Sequence, residues 1–599
     1  MGRLVLDMLK NRIIVWVAFL FCCSNYGQYE AHSDDTSMYS QIGKEGVFIH
    51  YNASLLFVGE YLYYSVYCQN KKTGKASDIS KIAYVELIGE KGTVIFRQKI
   101  GLENGSGQGD FFIPVSVPSG NYKLIGYTQW MMNWGEASFF QGDVSILNPY
   151  TNVQKPFLAD QDASGATENT PSTHLEGERK SKSVSSNNGK IELELVGETL
   201  SKREKVTMVL RSMDDEASFG RFSISVRRYD SLYHLERANS IGFKEELDRG
   251  SQEVLSPKNI LPEMRGDLLS GTISTDKPLL SLVDQKVLFS MAGEEYDLKV
   301  LTTNEKGDFS FSLKNQYTSD TAVFQVLGHE RENYTITLKE KLYPDYSHFT
   351  FKKFALHPKM EKVILERSIH NQVENAYFSA KPDTVKTAKK GIPFYGTNAT
   401  AYHLDDYTRF PTFKETIVEI VSNIWVTKDK SGEPTLRMGA KNSSSYDIGY
   451  PPLVIVDGHV LQDFEKLIQY DARNIKTISI TKDLYMIGGR IFQGILDVET
   501  FENNDRMVHA PYVQEVTLLK PLPNKNYFKQ VYTSENRPGL KKIPDYRHQL
   551  LWLPKIELET AMETVELFTS DVSGTYEVTL EGFTFLGEPV SIKKQFRVK

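Results

Sequence analysis

Cysteine, histidine and glycine positions bear first on whether this 599-residue chain could do covalent, metal or phosphate chemistry. Beyond the first thirty residues the only cysteine is Cys68, in the alternating run Tyr61-Leu-Tyr-Tyr-Ser-Val-Tyr-Cys68. Such a run is a strand, and a thiol buried in a strand is inert, so Cys68 reads as a core residue rather than a nucleophile. With no second thiol nearby, thiolate zinc sites are excluded. The 12 histidines are scattered, with no His-Glu-x-x-His and no His/Cys pair at ligand spacing. No Gly-x-Ser-x-Gly elbow occurs; a serine triad assembled only in space stays open. Gly488-Gly489 lacks the Lys-Ser/Thr of a phosphate loop and reads as a tight turn. Asp160-Gln-Asp-Ala-Ser-Gly165 opens like a calcium loop. Its twelfth position is Pro171, where a closing Glu is required, so a solvated linker is the better reading. No catalytic, cofactor-binding or metal-ligating residue is therefore assigned, and the chain reads as a non-enzyme without a cofactor. The densest aromatic cluster is Trp130-Met-Met-Asn-Trp134 with Phe139-Phe140. Such rings stack on sugars and anchor partners, or cap the end of their own core; the core end-cap is preferred.

Composition sets the class of scaffold. Charged residues make up 24% of the chain and the net charge is -6, so no basic excess points to nucleic acid. Aromatic content is 12%, mostly Tyr and Phe, which favour pleated, half-buried surfaces and lean the chain toward β structure. Residues 1–28 read as a signal peptide. Arg3, Lys10 and Arg12 precede the apolar run Ile13 to Cys23, which is too short to span a bilayer at about 20 residues. Cleavage is placed near Gly27 or Gln28. Cys22 and Cys23 close the run, but Phe19-Leu20-Phe21 lacks the small residue of a lipobox, and lipidation of either cysteine stays open. Export with a single remaining cysteine means that no internal disulfide helps the fold.

Short alternating strands separated by Gly, Asn and Pro turns begin at about residue 46. Residues 46–150 form a first antiparallel sandwich, with strands such as Glu60 to Cys68 and Tyr122 to Tyr127. Here Val58-Gly-Glu-Tyr-Leu-Tyr-Tyr-Ser-Val-Tyr67, Tyr84-Val-Glu-Leu87, Gly109-Asp-Phe-Phe112 and Pro118-Ser-Gly-Asn-Tyr122 together resemble the macroglobulin-like β-sandwich. Protease-trapping members of that family carry a Cys-Gly-Glu-Gln thioester. Cys68 is followed by Gln69-Asn70, so the resemblance implies no thioester here. Residues 151–189 are a flexible linker, poor in apolar side chains. Residues 190–262 form a second sandwich-like unit, opened by Ile191-Glu-Leu-Glu-Leu195, with a helical or irregular excursion from Asp230 to Pro262. Residues 263–345 resemble the carboxypeptidase-regulatory-like sandwich, a non-catalytic module. Glu361 to Phe378 is a helix whose apolar stripe is Val363, Ile364, Ile369, Val373 and Tyr377.

Residues 391–505 differ. Leu453-Val-Ile-Val456 is a continuous apolar run, Asp457-Gly458 turns, Phe464 to Tyr470 suits a helix, and Asn474 to Thr481 returns as a strand. Gly488-Gly-Arg490 then opens another strand, which makes a small α+β unit. Pro452-Leu-Val-Ile-Val-Asp-Gly458, Ile475 to Lys482, Gly488-Gly-Arg490 and Gly494-Ile-Leu496 resemble the plug of TonB-dependent outer-membrane receptors. The Ala-rich turn usual before those glycines is replaced by Asp483-Leu-Tyr-Met-Ile487. The residues that follow are too few for the receptor barrel. Residues 511–599 read as a C-terminal sandwich.

The fold class is thus mainly β and multidomain: tandem antiparallel sandwiches plus one small α+β plug-like domain. The resemblances imply a non-catalytic scaffold or accessory protein of a Gram-negative envelope, associated with the outer membrane on a face left open. Its partner would be an outer-membrane complex, a TonB-dependent transporter or export machinery. A surface module for a glycan or peptide ligand is the alternative, and a macroglobulin-type protease inhibitor without thioester is another.

Overall fold

The computed structural model describes residues 42–151, 189–214, 218–229, 232, 235–249, 259–292, 297–313, 317, 319–386, 395–396, 398–429, 432–439, 449–501, 510–532 and 542–599. The signal segment, Cys22, Cys23, linker residues 152–188 and Asp160–Gly165 lie outside the described residues. Strands dominate, as composition and turn spacing require.

The first sandwich is built from two sheets. A three-stranded sheet runs Glu45–Tyr51, Tyr61–Asn70, Ser106–Phe112. It faces a five-stranded sheet ordered Leu55–Phe57, Phe140–Leu147, Gly120–Tyr127, Ile82–Gly89, Val94–Gly101. Alternation sends Leu62 and Tyr64 into the core and leaves Tyr61 and Tyr63 on the outer face. Gly109 lies opposite Tyr64, and a Cβ there would sit 2.3 Å from the Tyr64 ring, so only glycine fits. Cys68 is buried as expected, beside Glu45 and Ser77.

The expected units 190–262 and 511–599 contribute strands to one shared sandwich, built from residues 190–229 and 549–599. Gly220–Tyr229 lies between Gln549–Leu558 and Gly574–Thr584 in a five-stranded sheet that also holds Pro589–Val598 and Thr199–Leu200. The opposing sheet is Met562–Phe568, Lys205–Ser212, Ile191–Leu195. Both halves fill one apolar core around Phe222, Leu558 and Tyr576. Alternation specifies the buried face of a strand but not the strand beside it, so a sandwich completed by distant chain reads as two. Among the described residues of the excursion from Asp230 there is one helix, Ser240–Arg249.

The third sandwich needs a borrowed strand too. Its sheets are Asp308–Ser312, Leu268–Ser274, Thr335–Leu338 and Asp297–Thr302, Lys286–Met291, Thr321–Val326, Val513–Thr517. The last strand lies within residues 511–599, the expected C-terminal unit. It pairs instead with Thr321–Val326, where Val516 and Leu518 join the core of Phe289 and Phe324.

The α+β unit follows the expected order. Its sheet runs Thr400–His403, Ile475–Ile487, Arg490–Thr500, Leu453–Val456, His459–Val460, with Leu453–Val456 parallel to Arg490–Thr500. Helices Phe413–Glu419 and Glu465–Ile468 contribute Phe413, Ile417, Leu467 and Ile468 to its core. The glycine turn has a packing role: a Cβ on Gly488 would lie 2.2 Å from Val300 of the third sandwich, and Arg490 Nη2 donates to Leu327 O at 3.0 Å. Among the described residues no helix is long and apolar enough to cross a membrane.

The helix Glu361–Ala376 corrects a periodicity argument. Val363 and Ile364 pack against Phe57 and Phe354, but Ile369 and Tyr377 are 49% and 39% exposed. The buried residues are Arg367 and Ser368. Beyond Val363 and Ile364 the helix docks through a polar stripe, because that part of its inner face meets charged and carbonyl groups.

Candidate functional site

That polar stripe, Arg367, Asn371, Glu374 and Asn375, recurs at helical spacing and points at the seam between the first and second sandwiches. The Arg367 guanidinium grips Glu60 at 2.8 and 2.7 Å and donates to Leu55 O at 3.0 Å. Arg227, from the second sandwich, reaches the same carboxylate at 2.9 Å. Asn371 and Asn375 donate to Val58 O and Gly59 O at 2.7 and 3.0 Å. Burial alone would push the Glu60 carboxyl up; the two guanidiniums outweigh it and hold the group well below the usual carboxylate range. Next to it, His548 Nε2 and His370 Nδ1 approach to 3.0 Å, and burial followed by the Arg367 charge keeps His548 neutral.

Above this ionic floor lies a cavity of about 160 Å³ whose mouth is aromatic. Tyr61 and Tyr63, two residues apart on one strand face, stack at 5.4 Å with an interplanar angle of 13°. Phe112, the cross-strand partner of Tyr61, contacts it at 5.1 Å. Phe378, just past the docking helix, stacks on Tyr61 at 6.1 Å and is 48% exposed. Deeper in, Tyr527 meets Tyr63 edge-on at 4.9 Å, and Trp552 of the second sandwich stacks on Tyr63 at 6.0 Å. A two-stranded clip, Thr384–Val385 with Lys525–Asn526, flanks Asp383 and Tyr527, which both line the cavity.

The charges around this cavity are paired with one exception. Lys381 meets Glu374 at 2.6 Å, Arg547 meets Asp545 at 2.6 Å, and Lys525 meets Asp110 at 2.9 Å. Asp383 accepts only the Phe528 N–H, at 2.9 Å, and has no ion-pair partner among the described residues. Burial pushes its carboxyl up. The Tyr61 hydroxyl is pushed up to about 12 by burial and then by Asp110 and Asp383. The mouth is therefore aromatic and carries one carboxylate, Asp383, that makes no direct ion pair among the described residues. It can stack flat groups and hold positive charge. Among the described residues no group of three or more His, Cys, Asp or Glu side chains could hold a metal ion.

A second buried network ties the first sandwich to the third. Lys99 Nζ lies 2.5 Å from Asp267, Lys341 bridges Asp267 and Glu263, and Tyr317 donates to Asp267 at 2.8 Å. Exposure of Lys99 and Asp267 is 4% and 0%, so this is a structural joint rather than a recess.

The aromatic cluster singled out from sequence lies elsewhere and is closed. Trp130 and Trp134 sit in a buried 3-10 helix, Gln129–Trp134, edge to face at 4.9 Å, with 0% and 8% exposure. They cap the first sandwich and offer no face to a ligand. Sequence reasoning missed the ring set at the seam because its members come from distant segments. The available signal was Tyr61 and Tyr63 alternating on the polar face of a strand, where exposed aromatics are unusual.

No protein-family model matches the sequence, and no curated protein matches it. Among solved structures, the chain is similar to Salmonella alpha-2-macroglobulin reacted with methylamine, at 10% identity and a TM-score of 0.23, over 93% of this chain and 40% of that one. It is similar to Escherichia coli alpha-2-macroglobulin activated by porcine elastase at 10% identity, over 93% of this chain and 44% of that one. The native E. coli form gives a TM-score of 0.15 and 22% coverage of that chain. The chain thus spans less than half the length of these structures.

Proposed function

We propose that this chain is a non-catalytic docking protein of the bacterial envelope, which uses its sandwiches and plug-like unit to attach to an outer-membrane transport or export complex. The observation that carries the reading is the aromatic mouth at the seam of two sandwiches. Rings of Tyr, Phe and Trp grouped around a recess, on a rigid scaffold and rimmed by polar groups, are the anchor chemistry of protein interfaces. Buried ion clusters on both sides of the first sandwich fix the modules and so pre-form the surface. The signal-like Arg3 to Gln28 supports export, and the likeness of residues 391–505 to a receptor plug supports an outer-membrane partner. Gentle detergent extraction of the envelope and identification of co-isolating proteins test it. Recovery of an outer-membrane transport component that depends on Phe378 and Tyr61 agrees with the reading. A lone monomer under all conditions overturns it.

A further inference from the structure

We infer that the recess at the seam receives a basic side chain of the partner protein, an arginine in preference to a lysine, with its cation set between the Tyr61 and Phe378 rings and the Asp383 carboxylate. This rests on the docking reading above and adds the chemistry of the partner.

Charge complementarity makes the case. Arg227, Arg367, Lys381 and Arg547 line the inner wall, and each is engaged: Arg227 and Arg367 with Glu60, Lys381 with Glu374, Arg547 with Asp545. Asp110 is matched by Lys525. Among the described residues Asp383 is the lining carboxylate that makes no direct ion pair, and the Lys525 charge acts on it only at longer range. A partly buried carboxylate with a single backbone donor is under-compensated, and an incoming cation supplies what is missing.

The rings point to the same ligand. The charges that act most on the Tyr61 hydroxyl are the two carboxylates Asp110 and Asp383. Aromatic faces next to a carboxylate attract a cation through the ring quadrupole and the carboxylate together. Tyr61 and Phe378 are close to parallel, at 15°, and Phe378 is half-exposed, so a flat group can lie on the outer ring. A guanidinium is planar, stacks on such faces and pairs with a carboxylate in a fork, whereas an ammonium only supplies charge. The cavity, about 160 Å³, is of side-chain size.

The test uses the full chain and capped tripeptides, Gly-Arg-Gly against Gly-citrulline-Gly, Gly-Lys-Gly and methyl glucoside, by calorimetry. The arginine peptide should bind in the millimolar range, with the lysine peptide weaker and the citrulline peptide at least tenfold weaker. D383N should reduce arginine binding about tenfold with unchanged thermal unfolding, and F378A should weaken it several-fold. Equal binding of citrulline, indifference to D383N, stronger binding of methyl glucoside, or no arginine binding at all would each overturn the inference. Because Phe378 is surface-exposed, F378A keeps the test valid even where D383N perturbs the clip. Failure here with co-isolation intact sinks only the arginine assignment; arginine binding without co-isolation sinks the docking reading.

Discussion

Replacing Arg367 by Met tests whether the ionic floor holds the helix Glu361–Ala376 against the first sandwich. Arg367 is 3% exposed, and the Glu60 side chain is 10% exposed. Met keeps most of the apolar stem but removes two bonds to Glu60 and the bond to Leu55 O. Breaking one side of a buried pair costs about 3–5 kcal/mol, because the other charge stays buried. Arg227 still reaches Glu60 at 2.9 Å in the variant, so the lower figure, about 3 kcal/mol, applies. E60Q should cost more, about 4–5 kcal/mol, since it leaves two guanidiniums facing a neutral amide. The pair R367M/E60Q should fall well short of the sum, with a coupling of about 1–3 kcal/mol. Urea unfolding followed by tryptophan fluorescence reads all three, with Trp552 beside the altered seam. Strict additivity, or a loss under about 1 kcal/mol for both single variants, would refute the argument that the helix is docked by charge.

Three further outcomes follow from the same structure. His548 and His50 are buried with ring pKa values well below 6.5, from burial first and then from Arg367 and Arg237 respectively. The unfolded chain therefore binds more protons, so stability is full above about pH 6.5 and declines as pH falls through the lower folded values. The Glu60 carboxyl, held below its ordinary value, adds a loss of the same sign at more acid pH. Urea midpoints that rise as the solution is acidified from neutral would contradict this; H548Q should flatten the upper part of the slope. G109A should destabilise the first sandwich by about 1–3 kcal/mol, because its Cβ would meet the Tyr64 ring at 2.3 Å, and an unchanged midpoint would show that the ring moves freely. Cys68, whose thiol is pushed up by burial and then by Glu45, should resist a thiol reagent in the native chain and react on unfolding; rapid native labelling would contradict its place in the core.

Local pattern was legible and partnership was not. Ile191-Glu-Leu-Glu-Leu195 alternates in sequence and in burial. The α+β order was readable because its strands and turns lie close together in the chain. The shared second sandwich was hidden because nothing in Gly220–Tyr229 names Gln549–Leu558 and Gly574–Thr584 as its neighbours. The docking helix misled for a different reason. Ile369 and Tyr377 lie on an apolar stripe by spacing, yet Arg367 and Ser368 are the buried residues, since a buried ion pair reverses the usual link between polarity and exposure. The aromatic mouth draws on Tyr61, Phe378, Tyr527 and Trp552, which only tertiary folding assembles.

Photo-crosslinking in living cells tests the docking claim most directly. A benzophenone side chain is placed at Phe378, at the mouth of the seam, and at Leu279, which is 99% exposed and outside the residues that line it. The account predicts a discrete adduct with an outer-membrane transport component from position 378, lost in the D383N background, and none from position 279. Adducts that are absent from 378, or the same from both positions, would contradict it.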